Sequence, residues 1–166
     1  MAVAVRVLQN EGLAKKSLIV DCDLHQGNGT AKIFQRNKDV FTFSIHQENI
    51  YPLKEKSDLD IGLGDFTEDE EYLSLLKRHL PKVVQEFKPD FIMFLAGADP
   101  FKGDKLGTLQ ITKEGLLKRD EFVINLAKKN DIPVGVVLAG GYAEDINDIV
   151  DIHYNTAKTL KKLFIS

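Results

Sequence analysis

Four short stretches of this chain hold the side chains that could do chemistry. Asp21-Cys22-Asp23-Leu24-His25 closes one apolar run, Ser44-Ile45-His46 closes a second, Gly97-Ala98-Asp99-Pro100 a third, and Gly140-Gly141-Tyr142 a fourth. Asp23 and His25 are two apart, so in an extended segment both point to the same side. With Asp99 they offer two carboxylates and one imidazole. Three protein ligands that leave a position open for water are the layout of a catalytic divalent site, usually zinc. Such an ion lowers the pKa of bound water from ~15.7 towards ~7 and polarises a carbonyl. Tyr142, on a glycine hinge, can donate a hydrogen bond to the oxyanion that then develops. Each piece alone has an ordinary explanation, since strand-end aspartates cap helices and Asp-Pro makes turns. The inference rests on all four meeting at one edge.

That edge must come from the elements around it. Residues 17–22, 40–46, 91–97 and 133–139 are short and apolar on both faces, as buried parallel strands are. Helices are predicted over 3–13, 29–37, 68–87, 113–129 and 143–164. Apolar stripes support the last three: Tyr72, Leu76, Leu80, Val83, Val84 and Phe87; Leu116, Val123, Leu126 and Ala127; and Ile146, Ile149, Val150, Ala157, Leu160 and Phe164. Thr67 and Glu70 are spaced as a capping box, and Pro81 predicts a kink or a restart in the helix that follows. Alternating strands and helices give an α/β fold, a parallel sheet covered on both faces, with ligands beyond the carboxyl ends of its strands. The longest irregular segment, 47–66, is polar and carries Pro52 and two glycines. A loop of about 20 residues inside a domain is usually functional.

Composition bounds the rest. At 166 residues the chain is expected to be a single domain over 1–166. Its 43% apolar and 28% charged residues suit a globular protein and exclude disorder, collagen and coiled coil. A net charge of -3 with no basic block argues against direct nucleic-acid binding. The longest apolar run, FIMFLAGA, is far short of the roughly 18 residues a membrane helix needs. The opening MAVAVRVLQN does not read as a signal peptide. The one cysteine, Cys22, can form neither an internal disulfide nor a CxxC site, which predicts a reducing cytoplasm and a metal held by His and carboxylates.

In collinear order, VDCDLHQGNGT, SIHQENIYP, SDLDIGLGDFTEDEEYL, LAGADPFKGDKLGTLQIT and GGY resemble the zinc-dependent histone deacetylase superfamily, in its bacterial or class IV-like branch. The resemblance runs from about residue 2 to residue 160. It implies an arginase/deacetylase-like three-layer fold and hydrolysis of an acetylated amine, on a lysine side chain or a polyamine. It implies Zn2+ on Asp23, His25 and Asp99, with Tyr142 polarising the substrate carbonyl. It also implies a monovalent cation, K+, at the segment Asp21, Asp23, His25, Ser44 and Ile45, partly through backbone carbonyls. Tyr51, Leu106 and Gly97 match the walls of the acyl-lysine tunnel.

Family members carry two adjacent histidines upstream of the DxH strand, as general base and electrostatic helper. Here His25, His46, His79 and His153 are the histidines; none adjoins another and none precedes His25. The segment AVAVRVLQNEG resembles the helix after that pair, which implies an N-terminally incomplete version of the domain. Loss of a general base costs ~10²–10⁴-fold in rate. A sheet cut through its middle would expose an apolar edge, so self-association or a complementing N-terminal fragment is expected. The alternative to an enzyme is therefore a metal-binding remnant or a half-domain. Of the remaining histidines, His153 reads as a packed core residue, His79 as a boundary residue and His46 as a neighbour of the site. Cys22 reads as packing. A binuclear metallophosphoesterase also opens with DxH, but the Asn-His pair it needs is absent, as is a GxGxxG nucleotide turn.

Overall fold

The computed structural model describes residues 1–164. In chain order the elements are α1 (Ala2–Asn10), β1 (Ser17–Asp21), α2 (Asn28–Phe34), β2 (Val40–Gln47), β3 (Leu59–Leu63), α3 (Asp69–Phe87), β4 (Phe91–Gly97), α4 (Lys113–Lys129), β5 (Val134–Ala139) and α5 (Ile146–Phe164). The sheet order is β3-β2-β1-β4-β5 and every pairing is parallel. All five carboxyl ends therefore lie along one edge, as the alternation of apolar runs and helices requires.

Strand β1 is buried along its whole length. Its alternate residues feed two cores. Leu18, Val20, Cys22 and Leu24 join the side chains of α3, α4 and α5, including Tyr72, Leu76, Leu116, Val123 and Ile152. Ile19 joins Val5 of α1, Phe34 of α2, Val40 and Met93 on the other face. The result is an α/β/α arrangement whose central strands carry the site. The register sets Asp21 of β1 beside Ser44 of β2 and Leu95 of β4, so the DxH segment leaves the sheet at its centre.

Four details differ from the sequence expectations. Segment 47–66 is not all loop, because Leu59–Leu63 pairs with β2 as an edge strand. Its run of only five residues, LDIGL, set in polar sequence, gave little periodicity to read. Thr67 does not cap α3: its hydroxyl donates back to the Gly64 carbonyl at 2.9 Å, and Glu68 stands at the N-cap without a side-chain bond. Of the two alternatives at Pro81 the restart is excluded, since helix α3 is one element from Asp69 to Phe87 with Pro81 inside it. Burial of Tyr72, Leu76, Leu80, Val83 and Val84 on either side offsets the missing hydrogen bond, which costs about 3 kcal/mol in an isolated helix. In α5 the buried stripe is Ile152, Thr156 and Thr159, flanked by Ile149, Leu160 and Leu163. Ile146 and Val150 are 70% and 58% exposed, and Ala157 and Phe164 also face outward, because α4 covers only one side of this helix. The arc of apolar residues is wider than the surface that buries it.

Candidate metal centre

The tip of β1 turns sharply, and its backbone is tied by its own side chains. Asp21 Oδ1 accepts from the Asp23 N–H at 3.1 Å, and Asp23 Oδ1 accepts from the His25 N–H at 2.9 Å. These short-range bonds hold the segment open and turn Asp23 and His25 to one side. Asp99, past the end of β4, reaches across to the same place. Its Oδ1 accepts from the Leu24 N–H at 3.0 Å. Its Oδ2 lies 3.5 Å from His25 Nδ1, which is also 3.2 Å from Asp23 Oδ1. One ligand atom from each of Asp23, His25 and Asp99 falls within 4.8 Å of the others.

Asp99 is the buried member, at 1% exposure, and its Oδ2 has no hydrogen-bond partner. A buried carboxylate oxygen without a donor is costly unless a cation meets it. Burial, reinforced by the neighbouring Asp23 charge, pushes the Asp99 carboxyl up to about 8. Burial likewise pushes Asp21 up to about 7. The donor set of two carboxylates and one imidazole fits a divalent ion, and the orphaned Oδ2 faces the place where it would sit.

Two glycines make this crowding possible. A Cβ at Gly97 would stand 2.7 Å from the Asp23 Cα and 2.8 Å from Asp99 Oδ1. Gly140 has φ +62°, and any side chain there would overlap the Asp99 carboxylate. Gly97 is thus buried beneath the two aspartates. Gly140 brings the chain that carries Tyr142 past Asp99.

Tyr142 is half-exposed, and its backbone N–H donates to Asp104 Oδ2 at 2.7 Å. Asp104 Oδ1 accepts from the Leu106 N–H at 2.8 Å, so one carboxylate links the Tyr142 and Leu106 loops. The ring of Tyr51 meets that of His25 edge-on at 6.4 Å and is otherwise in solvent. Leu106 is half-exposed. On the β2 side Ser44 and Ile45 are buried, and Ser44 Oγ lies 2.9 Å from His46 Nδ1. Burial lowers the His46 pKa. Burial pushes the Cys22 thiol up to about 12, so it packs rather than reacts.

Sequence reading missed three supports. Asp104 is one. Gln26 is another: its amide bonds Glu55 in both directions, at 2.6 and 2.9 Å, and donates to Asp60 Oδ1 at 2.8 Å, fixing the loop that carries Tyr51. The third is the fully buried Arg119-Asp120 pair of α4. Its signal was legible, since positions 119 and 120 fall between Leu116 and Val123 on the apolar face of the helix.

The family model for the histone deacetylase domain matches residues 1–157. The chain belongs to the histone deacetylase family. It is 45% identical over 154 residues to an uncharacterized protein of Picosynechococcus sp., covering 92% of this chain and 51% of that protein. It is 32% identical over 155 residues to a probable deacetylase of Archaeoglobus fulgidus, covering 86% of this chain and 43% of the relative. Among solved structures, the HD domain of HDA15 superposes with a TM-score of 0.78 at 30% identity, over 96% of this chain and 49% of that one. The chain thus spans about half the length of these three proteins. The deacetylase-like α/β fold expected from the motifs is the fold observed.

Proposed function

We propose that this chain carries the metal centre of a zinc-dependent deacetylase-type hydrolase acting on an acetylated amine, either a lysine side chain or a polyamine. The observation that carries the reading is the meeting of Asp23, His25 and Asp99, with the buried Asp99 Oδ2 left without a donor. A zinc ion held there would supply an activated water and polarise the acetyl carbonyl. Asp23, His25 and Asp99 would hold and orient the ion. Tyr142 donates its hydroxyl proton in a hydrogen bond to the carbonyl oxygen as charge develops on it. Tyr51 and Leu106 flank the acyl chain, with Gly97 closing the floor beneath the carboxylates. The backbone around Asp21, Asp23, His25, Ser44 and Ile45 is our proposed site for K+, whose charge would offset the buried Asp21 carboxylate. We place this activity in the cytoplasm, on the strength of the single buried thiol; among the described residues no helix is long and apolar enough to cross a membrane. The test is metal analysis of the purified chain, then turnover of acetyl-lysine peptides and acetylated polyamines. One zinc per chain with turnover supports the reading, and no zinc at any added concentration overturns it.

A second reading is favoured by one observation. Strand β5 is a sheet edge of sequence VGVVLA, with Leu138 51% exposed, and the outer face of α5 shows Ile146, Val150 and Tyr154 to solvent. Such an edge templates another strand. In this reading the chain is a half-domain that works only with a second copy or a complementing chain that adds a strand to β5. It binds zinc but turns over nothing alone. A monodisperse, cooperatively unfolding monomer with activity of its own would exclude it.

A further inference from the structure

Arg119 is the largest fully buried side chain of the described residues. It lies on α4, and none of its hydrogen bonds goes to the side chain of Asp23, His25 or Asp99. Its Nη1 donates to the Gly97 carbonyl at 2.6 Å and to the Cys22 carbonyl at 3.3 Å. Cys22 immediately precedes Asp23, and Gly97 lies two residues before Asp99. One guanidinium nitrogen therefore bridges the tips of the two strands that carry the carboxylates. Its Nε donates to Asp120 Oδ1 at 2.8 Å, and Asp120 Oδ2 accepts from Thr156 Oγ1 of α5 at 2.5 Å. The Phe94 ring lies 5.8 Å from the guanidinium carbon. The cation is thus fixed from below by two helices and holds two strand ends above.

Packing alone does not explain a charge at this position. A buried ion pair adds little stability over apolar residues of the same volume. Its geometry is better suited to setting a distance. The carbonyls it joins belong to neighbouring parallel strands, just past the last rung of their ladder, where the Leu24 N–H to Asp99 Oδ1 bond is a further tie between the two strand tips.

We propose that Arg119 is a positioning residue for the metal centre: by bridging the Cys22 and Gly97 carbonyls it sets the separation of Asp23 and Asp99, and so sets metal affinity from outside the ligand shell. The inference rests on the metal reading given above. It implies that α4 and α5, through Asp120 and Thr156, are part of the site's supporting frame.

The test is zinc affinity by competition with a chromophoric chelator, together with the visible absorption of the Co2+-loaded chain, which reports ligand geometry. Arg119→Met combined with Asp120→Asn removes both charges, leaving none buried alone. Arg119→Lys keeps the charge but loses the planar fork. Val5→Ala, in the core on the opposite face of the sheet, serves as a stability control. Thermal unfolding of each variant is measured first, and Arg119→Lys supplies the answer should the paired variant not fold. Loss of outer supports of a metal site typically costs 10–100-fold in affinity. We expect that loss in the paired variant, a smaller one in Arg119→Lys, a shifted Co2+ spectrum in both, and neither change in Val5→Ala. Affinity within about twofold of the parent, with an unchanged spectrum, overturns the inference alone. A parent chain that binds neither ion overturns the metal reading and this inference with it.

Discussion

The Leu24 amide and the Asp99 carboxylate are joined by a hydrogen bond of 3.0 Å that ties the loop after β1 to the loop after β4. It engages Oδ1 and leaves Oδ2 3.5 Å from His25 Nδ1 with no donor of its own. One oxygen thus holds the loops together, and the other is the one that the proposed cation would meet.

Those duties separate by mutation. Asp99→Asn keeps an acceptor for Leu24 but removes the second anionic ligand. Zinc affinity is expected to fall by at least 10²-fold. The metal-free protein is expected to become more stable near pH 8, because the parent carboxyl ionises there only against burial. Asp99→Ala loses both duties, and with them metal binding and some stability. Zinc titration and thermal unfolding in chelator check both.

The pH dependence follows from the same burial. Asp99 and Asp21 are raised from 3.8 to about 8 and about 7. Between the unfolded and folded values the folded state binds more protons, so their contribution to metal-free stability falls as pH rises from about 4 to about 8. His46 and His153, both lowered by burial, act in the opposite sense: stability is lost as pH falls below the unfolded value of 6.5. Zinc must displace the Asp99 proton, so its apparent affinity is expected to rise up to about tenfold per pH unit towards pH 8. The rise in melting temperature caused by zinc, measured at pH 6, 7 and 8, should grow along that series.

Tyr142 is expected to matter to turnover and not to metal. Tyr142→Phe should leave zinc affinity unchanged and lower turnover by ~10²–10³-fold, the usual effect of removing one oxyanion donor. Asp104→Ala frees the Tyr142 and Leu106 loops together and should lower turnover by a smaller factor, again with zinc retained. Any assembly that shows activity can be used for the comparison.

The β5 edge makes a separate prediction. Leu138→Lys and Val150→Glu place charges at half-exposed or exposed apolar positions. Both should weaken self-association in sedimentation velocity. Their cost to the monomer should stay within about 0.5 kcal/mol, as at other surface sites.

Local pattern carried most of the architecture. The apolar runs around Val20, Phe43, Phe94 and Val136 read as parallel strands once helices lay between them, and parallel strands place Asp23, Asp99 and Tyr142 on one edge; the last run, expected to be buried on both faces, is instead the half-exposed edge strand β5, because which strand lies outermost is not written in its own residues. Strand β3 escaped because its five residues sit in polar sequence. The α5 stripe was misread because periodicity marks which residues are apolar and not which of them a neighbour covers.

Residue order by itself determined the candidate ligands, their places at strand ends and the family, since each follows from a short motif or its spacing. Only the tertiary structure decided that Asp99 presents one oxygen to Leu24 and leaves the other bare, that Asp104 links two loops, and that Arg119 of α4 grips the carbonyls of Cys22 and Gly97. These contacts join residues 22 to 97 positions apart, or bridge loops through a single carboxylate. Such a contact depends on how whole elements pack, a quantity set by every side chain in the core at once and carried by no local stretch of the chain.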